Sequence, residues 1–156
     1  MLEEERNFVN WVRQLGIPEL ELDDYTELDS EETKALQRRV GLSISDAPPD
    51  FRLRWKERNV DFPLCWVDVK RPWTERDTYN LNNEKYKVYK AVAKADECPL
   101  YLVFYGSANQ IIGWAELEYT NSRFSNRRIK VNKDTPFDQE IKKLMAKRIR
   151  RSSQGF

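Results

Sequence analysis

A chain of 156 residues, 40% hydrophobic and 34% charged, is long enough for one domain with a core, and five Trp, seven Tyr and seven Phe need such a core to pack into. The absence of histidine excludes Ser-His-Asp and Cys-His nucleophiles, HExxH metalloproteases and His-ligated zinc, while Cys65 and Cys98 form no CxxC pair and point to a reducing compartment. No apolar run approaches the roughly 20 residues of a membrane span, and the acidic N-terminus lacks a secretory pattern, so a non-secreted protein of the cytoplasm or nucleoid with no membrane partner is expected.

The formal charge of +1 hides a polarity. Residues 1–32 carry eleven Asp/Glu against two Lys/Arg, whereas residues 119–156 carry eleven Lys/Arg against three Asp/Glu. A basic surface of this kind suits a polyanion, and the acidic leader is then expected to shield it until the polyanion displaces the leader.

Residues 3–15 read as an amphipathic helix. Phe8, Trp11, Val12 and Leu15 recur at three-and-four spacing, three glutamates suit the positive end of the helix dipole, and Gly16 is the stop. Glu5 lies one turn before Phe8, at the edge of the apolar face, from where it can point into the fold. Residues 19–28 alternate weakly, a short strand at most. Ser30 before Glu31 and Glu32 is an N-cap signal for a helix to about residue 40, with Gly41 ending it. Residues 43–49 form a loop.

Residues 51–55 alternate apolar and basic, a strand with one wet face, and 58–61 make a turn into the strand 64–70. Residues 71–81 read as a polar, aromatic loop. Residues 82–95 form a helix with Tyr86, Tyr89, Val92 and Ala93 inward. The run 100–105 is the clearest buried strand, 106–109 turn, and 110–118 form another strand. Residues 123–133 are basic. A last helix spans 137–151, with Ile141, Leu144, Met145 and Ile149 on one side and Lys/Arg on the other, and 152–156 fray. One domain over 1–151 is expected, of α/β class, with a central mixed sheet flanked by helices.

The strand 64–70 carries the chemistry. Residues two apart share a face, so Asp68 and Lys70 point one way and Val67 and Val69 the other. Burying a carboxylate and an ammonium for packing alone gains little, because desolvation can cancel the Coulomb attraction. With a further acid from a neighbouring strand, such a pair makes a site for a hard divalent cation, the lysine stabilising charge or orienting water. Pro49-Asp50 lies upstream to supply it. Cations available to a nucleic-acid backbone are Arg71 and Arg76 just after the site, Lys87 and Lys90 on the next helix, Arg123, Arg127, Arg128 and Lys130 in the basic stretch, and those of the last helix. Trp73 can stack on a base.

Pro49-Asp50, followed eighteen residues later by Asp68-Val69-Lys70, resembles the PD-(D/E)xK nuclease superfamily. Glu5-Arg6, Phe8-Val9 and Gly16 look like the opening helix of the archaeal Holliday-junction resolvases. The resemblance covers roughly residues 3–105. It implies a restriction-endonuclease-like core in the order αβββαβ, here with an inserted helix and a basic C-terminal helix. It implies a Mg²⁺- or Mn²⁺-dependent endodeoxyribonuclease of homing, restriction or junction-resolving type that hydrolyses phosphodiester bonds. Asp50, Asp68 and Glu5 would be the metal ligands, with Lys70 beside the attacking water. Two features depart from the pattern. Asp68 stands where Glu is commoner, and the long stretch from Gly16 to Pro49 carries its own helix, which makes Glu32 a competitor for the place of Glu5. One site cuts one strand, so a homodimer or higher oligomer on DNA is expected. The alternative is a non-catalytic nucleic-acid-binding or assembly protein that keeps the fold.

Overall fold

The computed structural model describes residues 1–71, 73–118 and 126–154. In chain order the elements are α1 (Glu3–Gln14), β1 (Leu20–Asp24), α2 (Glu31–Val40), β2 (Phe51–Glu57), β3 (Val60–Lys70), β4 (Thr78–Asn82), α3 (Asn83–Asp96), β5 (Leu100–Tyr105), β6 (Ile111–Glu116), β7 (Asn126–Lys130) and α4 (Phe137–Gln154). Local signals set the helix ends. The Ser30 hydroxyl accepts the Thr33 N–H at 3.1 Å, and Gly41 closes α2 in the left-handed region at φ 82°. No described helix is long and apolar enough to cross a membrane.

Five strands form one sheet in the order β1-β2-β3-β5-β6, antiparallel except for the parallel pair β3 and β5, which α3 connects. This is a mixed α/β sheet with a helix layer on each face. On one side α1 and α4 bring Phe8, Val12, Phe137 and Ile141 against Phe51, Leu53, Val67, Val69 and Val103. On the other, α2 and α3 bring Leu36, Tyr86, Tyr89 and Val92 against Trp66, Leu100, Leu102 and Phe104. Every residue of β5 is buried, as a central strand covered on both faces requires.

The β2–β3 hairpin turns on Arg58 and Asn59, with Arg58 at φ 53°, the left-handed value that a two-residue hairpin takes at its first turn position. Glu57 faces Val60 and Arg54 faces Pro63, but Leu53 then faces Cys65 and Phe51 faces Val67. Leu64 is the extra residue of a β-bulge, next to the one proline of the strand, which has no N–H to pair. A slip of one residue reverses which face a side chain meets. Without the bulge Asp50 would stand opposite Val67; with it, Asp50 stands opposite Asp68.

Two positions further into the sheet, on the same face, lies a network of opposite charges. Arg52 bonds Asp23 (2.9 Å) and Asp96 (3.1 Å), and Asp96 also takes Arg39 (3.0 Å) and the Trp66 indole N–H (2.8 Å). Arg54 bonds Asp23 (2.7 Å) and Asp61 (2.9 Å). These contacts change two expectations. The basic face of β2 is half-buried rather than wet, its arginines paired with acids of β1 and α3, and the leader's Glu21 and Asp23 are committed to Arg54 and Arg52 rather than to a basic tail.

Three further departures concern the extent of single elements. The weakly alternating 19–28 stretch contains a true strand, β1, because its acids meet the β2 arginines across the ladder. The expected loop 71–81 contains β4, which pairs with β7 across 44 residues or more in a separate two-stranded ribbon. A partner that remote leaves no mark on local periodicity. α4 continues to Gln154, past the expected fraying point at 151, and residues 155 and 156 lie outside the described residues.

Candidate active site

The site sits where β3 runs out of the sheet. The Asp50 N–H donates to Asp68 Oδ1 at 3.3 Å, and the Val69 N–H donates to Asp50 Oδ2 at 2.9 Å. Lys70 Nζ lies 2.7 Å from Asp68 Oδ2. The ammonium is held 5.5 Å from the ring centre of Tyr79 and 5.8 Å from that of Tyr89. Glu5 arrives from the first turn of α1, its Oε1 accepting the Leu2 N–H at 2.8 Å. Asp50, Asp68, Lys70 and Glu5 line one cavity of about 470 Å³, together with Glu4, Arg71, Trp73, Tyr79, Lys85 and Tyr89.

The electrostatics are those of an excess of negative charge. Burial first, then the charge of Asp68 and to a lesser degree that of Glu5, push the Asp50 carboxyl up to about 9, against the opposing hydrogen bond from Val69. Burial works against the Lys70 ammonium, yet the charge and hydrogen bond of Asp68, with Tyr79 and Asp50, leave its pKa above the ordinary value. The Tyr89 phenol is pushed well above its ordinary value, by burial, by the two aspartates and by its hydrogen bond to Asp68, so it stays protonated. One lysine stands among three carboxyl groups, and Asp50 relieves the excess by keeping its proton.

Of the residues singled out in the sequence, Asp50, Asp68, Lys70 and Glu5 come together. Glu32, the competitor for the place of Glu5, is exposed and lines a different cavity, beside Asp23, Tyr25 and Ser30. Arg71 lies at the mouth, its Nε 3.9 Å from Glu4, and is largely exposed. Trp73 lines the cavity, but its ring packs on Phe104 with centroids 5.0 Å apart, the packing role an aromatic loop residue usually has. Arg76 and Lys87 are exposed and do not line the cavity. Arg127 lies with its guanidinium 3.6 Å from the Tyr86 ring centre, so it is held inward, whereas Arg128 and Lys130 are exposed on the outer face of the ribbon whose inner face supplies Tyr79. Arg123 lies outside the described residues. On α4, Arg148 is committed to the carbonyls of Glu97 and Pro63, both at 2.9 Å, at the end of β3 remote from Asp68.

Motif and periodicity do not assign Tyr79, Tyr89, Lys85 or Glu4 to the site. Lys85 is within reach of periodicity, since it precedes Tyr89 by four residues and so shares a helix face with it. Tyr79 comes to the site only through the β4–β7 ribbon, whose pairing is long-range.

Among the described residues no group of three or more Asp, Glu, His or Cys stands at metal-ligating spacing. One oxygen of Glu5 is engaged by Leu2, and the charge of Lys70 is engaged by Asp68. The chemistry of the donors nonetheless fits a hard divalent cation: all are carboxylate oxygens, and their mutual repulsion is what such an ion relieves. No known family model matches the chain, and no curated protein matches it.

Proposed function

We propose that this protein is a Mg²⁺- or Mn²⁺-dependent DNA endonuclease with a restriction-endonuclease-like core. The observation that supports it most is the buried pairing of Asp50 with Asp68, beside Lys70 and Glu5, in an open cavity. The strand order and the α3 crossover from β3 to the parallel β5 agree with an αβββαβ core.

Asp50, Asp68 and Glu5 would hold the ion, which neutralises charge developing on the phosphate and lowers the pKa of water. The residues around it do the positioning. The Val69 N–H fixes Asp50, and the Tyr89 phenol stays protonated beside Asp68. Lys70, set between two tyrosine rings, presents a donor where the attacking water and a phosphate oxygen meet. Arg71 and Lys85 at the rim face the adjoining phosphates, and Arg128 and Lys130 extend that track along the ribbon. Cutting both strands of a duplex takes two such sites, hence two copies of the chain.

The test is cleavage of plasmid, linear and branched DNA in Mg²⁺, in Mn²⁺ and in EDTA, with Lys70→Ala as control. Cleavage that needs metal and Lys70 is the expected result. Cleavage in EDTA, or equal cleavage by Lys70→Ala, overturns the reading. One observation favours the non-catalytic alternative: the 2.7 Å Lys70–Asp68 pair already neutralises one carboxylate. That reading expects salt-dependent DNA binding with no cutting in either metal.

A further inference from the structure

We propose that the outer face of α4 is a second nucleic-acid surface, which binds the phosphate backbone of a duplex segment other than the one at the Asp50–Asp68 cavity. From Ile141 to the end of the sequence there are six Lys/Arg and no Asp or Glu. Ile141, Leu144 and Met145 are buried in the core, which leaves the cations on the opposite side of the helix. Lys143, Lys147 and Arg150 follow one another at four and three residues, so they share one face, and all three are exposed. Lys142 and Arg151, also exposed, flank them.

What sets this face apart is its lack of compensation. The cations of β2 and of the segment after β7 meet acids: Arg54 meets Asp61 and Lys133 meets Asp77, both at 2.9 Å. On α4, Lys142 stands 3.9 Å from Asp138 and Arg148 is taken up by two carbonyls, but Lys143, Lys147, Arg150 and Arg151 form no ion pair with any described residue. Lys147 is near enough to Glu116 to favour the charge of that carboxyl, without a salt bridge to it. Lys143 with Lys147, and Lys147 with Arg151, are like charges four residues apart, a spacing at which they destabilise a helix. The helix dipole favours a cation only in the last turn, which accounts for Arg151 alone. An array that repels itself and has no acid of its own is stabilised by an anion from outside.

The geometry says which anion. Lys143 to Arg150 spans about 10.5 Å of helix. A B-form strand presents a phosphate about every 3.4 Å of its axis, so each of the three cations finds one. With no aromatic side chain among them, such cations hold the backbone and read no sequence. A bilayer is the poorer match, because an interfacial helix buries its apolar face in lipid and that of α4 is already in the core. α4 packs with α1 on one face of the sheet, whereas α3 and the ribbon that carries Arg128 and Lys130 lie on the other. Along the strands the two are apart as well: Arg148, next to Lys147, reaches Pro63, roughly 17 Å back along β3 from Asp68. A duplex with a persistence length of about 50 nm does not curl round the domain to meet both faces, so α4 takes a separate segment. Binding at α4 stands on its own cations; only the statement that the other segment is the cleaved one rests on the nuclease reading.

The experiment uses the full chain in EDTA, so that neither metal nor cleavage takes part. A short mixed-sequence DNA duplex is titrated in at several salt concentrations, and lysine acetylation is read residue by residue by mass spectrometry. Saturable protection of Lys143 and Lys147 is expected, and at saturating duplex it is kept in a variant carrying Arg128→Ala and Lys130→Ala. Lys143→Gln, Lys147→Gln and Arg150→Gln together should lower the salt slope of binding by about three, with the melting temperature kept or raised because like charges are removed. Lys143 and Lys147 left unprotected at saturating duplex, or a triple variant with the wild-type slope, overturn the proposal. Loss of the protection in the Arg128→Ala, Lys130→Ala variant overturns it too, since one track would then serve both faces. Salt-sensitive self-association without DNA, lost in the triple variant, assigns the face to a second copy, and protection by phosphatidylglycerol vesicles at lower concentration than by duplex assigns it to lipid; either result overturns the proposal. A chain that never cuts DNA gives the same footprint, so failure of the nuclease reading is read separately.

Discussion

Two groups of buried charge lie on one face of the same two strands, two residues apart, and they follow opposite rules. At Arg52, Asp23 and Asp96 each charge meets its opposite at 2.9 to 3.1 Å, and the remaining acceptor capacity of Asp96 is taken by Arg39 and Trp66. At Asp50, Asp68 and Glu5 three carboxyl groups share one site with Lys70 to offset them, and burial beside Asp68 makes Asp50 hold its proton up to about pH 9. The first arrangement is what packing needs from charges it must bury. The second is a local conflict, which a bound cation would resolve on the reading proposed above.

Breaking the two clusters should therefore give opposite phenotypes. On the proposed nuclease reading the largest effect is on chemistry. Asp68→Asn or Lys70→Ala should lower cleavage by about a hundredfold to a thousandfold or more, with the circular dichroism spectrum and DNA affinity kept. Next comes stability. Asp96→Ala leaves the buried Trp66 indole N–H without a partner and removes one of the two carboxylates of Arg52, and should cost about 1–3 kcal/mol in denaturant unfolding, with cleavage per folded molecule unchanged.

A smaller effect is one of pH. The folded carboxyl of Asp50 titrates near 9, well above its unfolded value, because it is buried and faces Asp68. Between about pH 4 and 9 the folded state therefore binds the extra proton. The stability it contributes is full below about pH 4 and is lost as pH rises through about 9. In metal-free buffer this group therefore makes stability fall as pH rises across that window. Asp50→Asn should flatten it, as urea unfolding across pH will read. The smallest effect tests the proposed DNA track. Arg128→Ala and Lys130→Ala should each weaken binding to all sequences alike and lower the salt slope by about one. Glu32→Gln should change nothing.

How far the sequence shows all this follows from what is local. The Ser30 cap and Gly41 stop of α2, the period of α1 and the two-residue alternation of Asp68 and Lys70 are short-range features, and all can be read directly. The meeting of Asp50 with Asp68 can be suspected from the Pro-Asp and Asp-x-Lys pattern, but local rules alone do not produce it, because it depends on the bulge at Leu64. No periodicity marks the residue at which a ladder shifts. The choice between Glu5 and Glu32 likewise depends on where α1 and α2 pack, since both are acids in the first turn of an amphipathic helix. The phosphate contacts expected of α4 fail for Arg148 on the same ground: a cation on a polar face looks the same whether it meets solvent or two backbone carbonyls.

The claim that the unbalanced carboxylates form a cation site is tested most directly by titrating the protein with Mn²⁺ and following its melting temperature. An ion that binds only the folded chain stabilises it by mass action. The expected result is a saturable rise in the wild type, kept in Glu32→Gln and lost in Asp68→Asn. A wild type whose melting temperature does not respond to Mn²⁺, or an Asp68→Asn variant that responds as strongly, contradicts the claim.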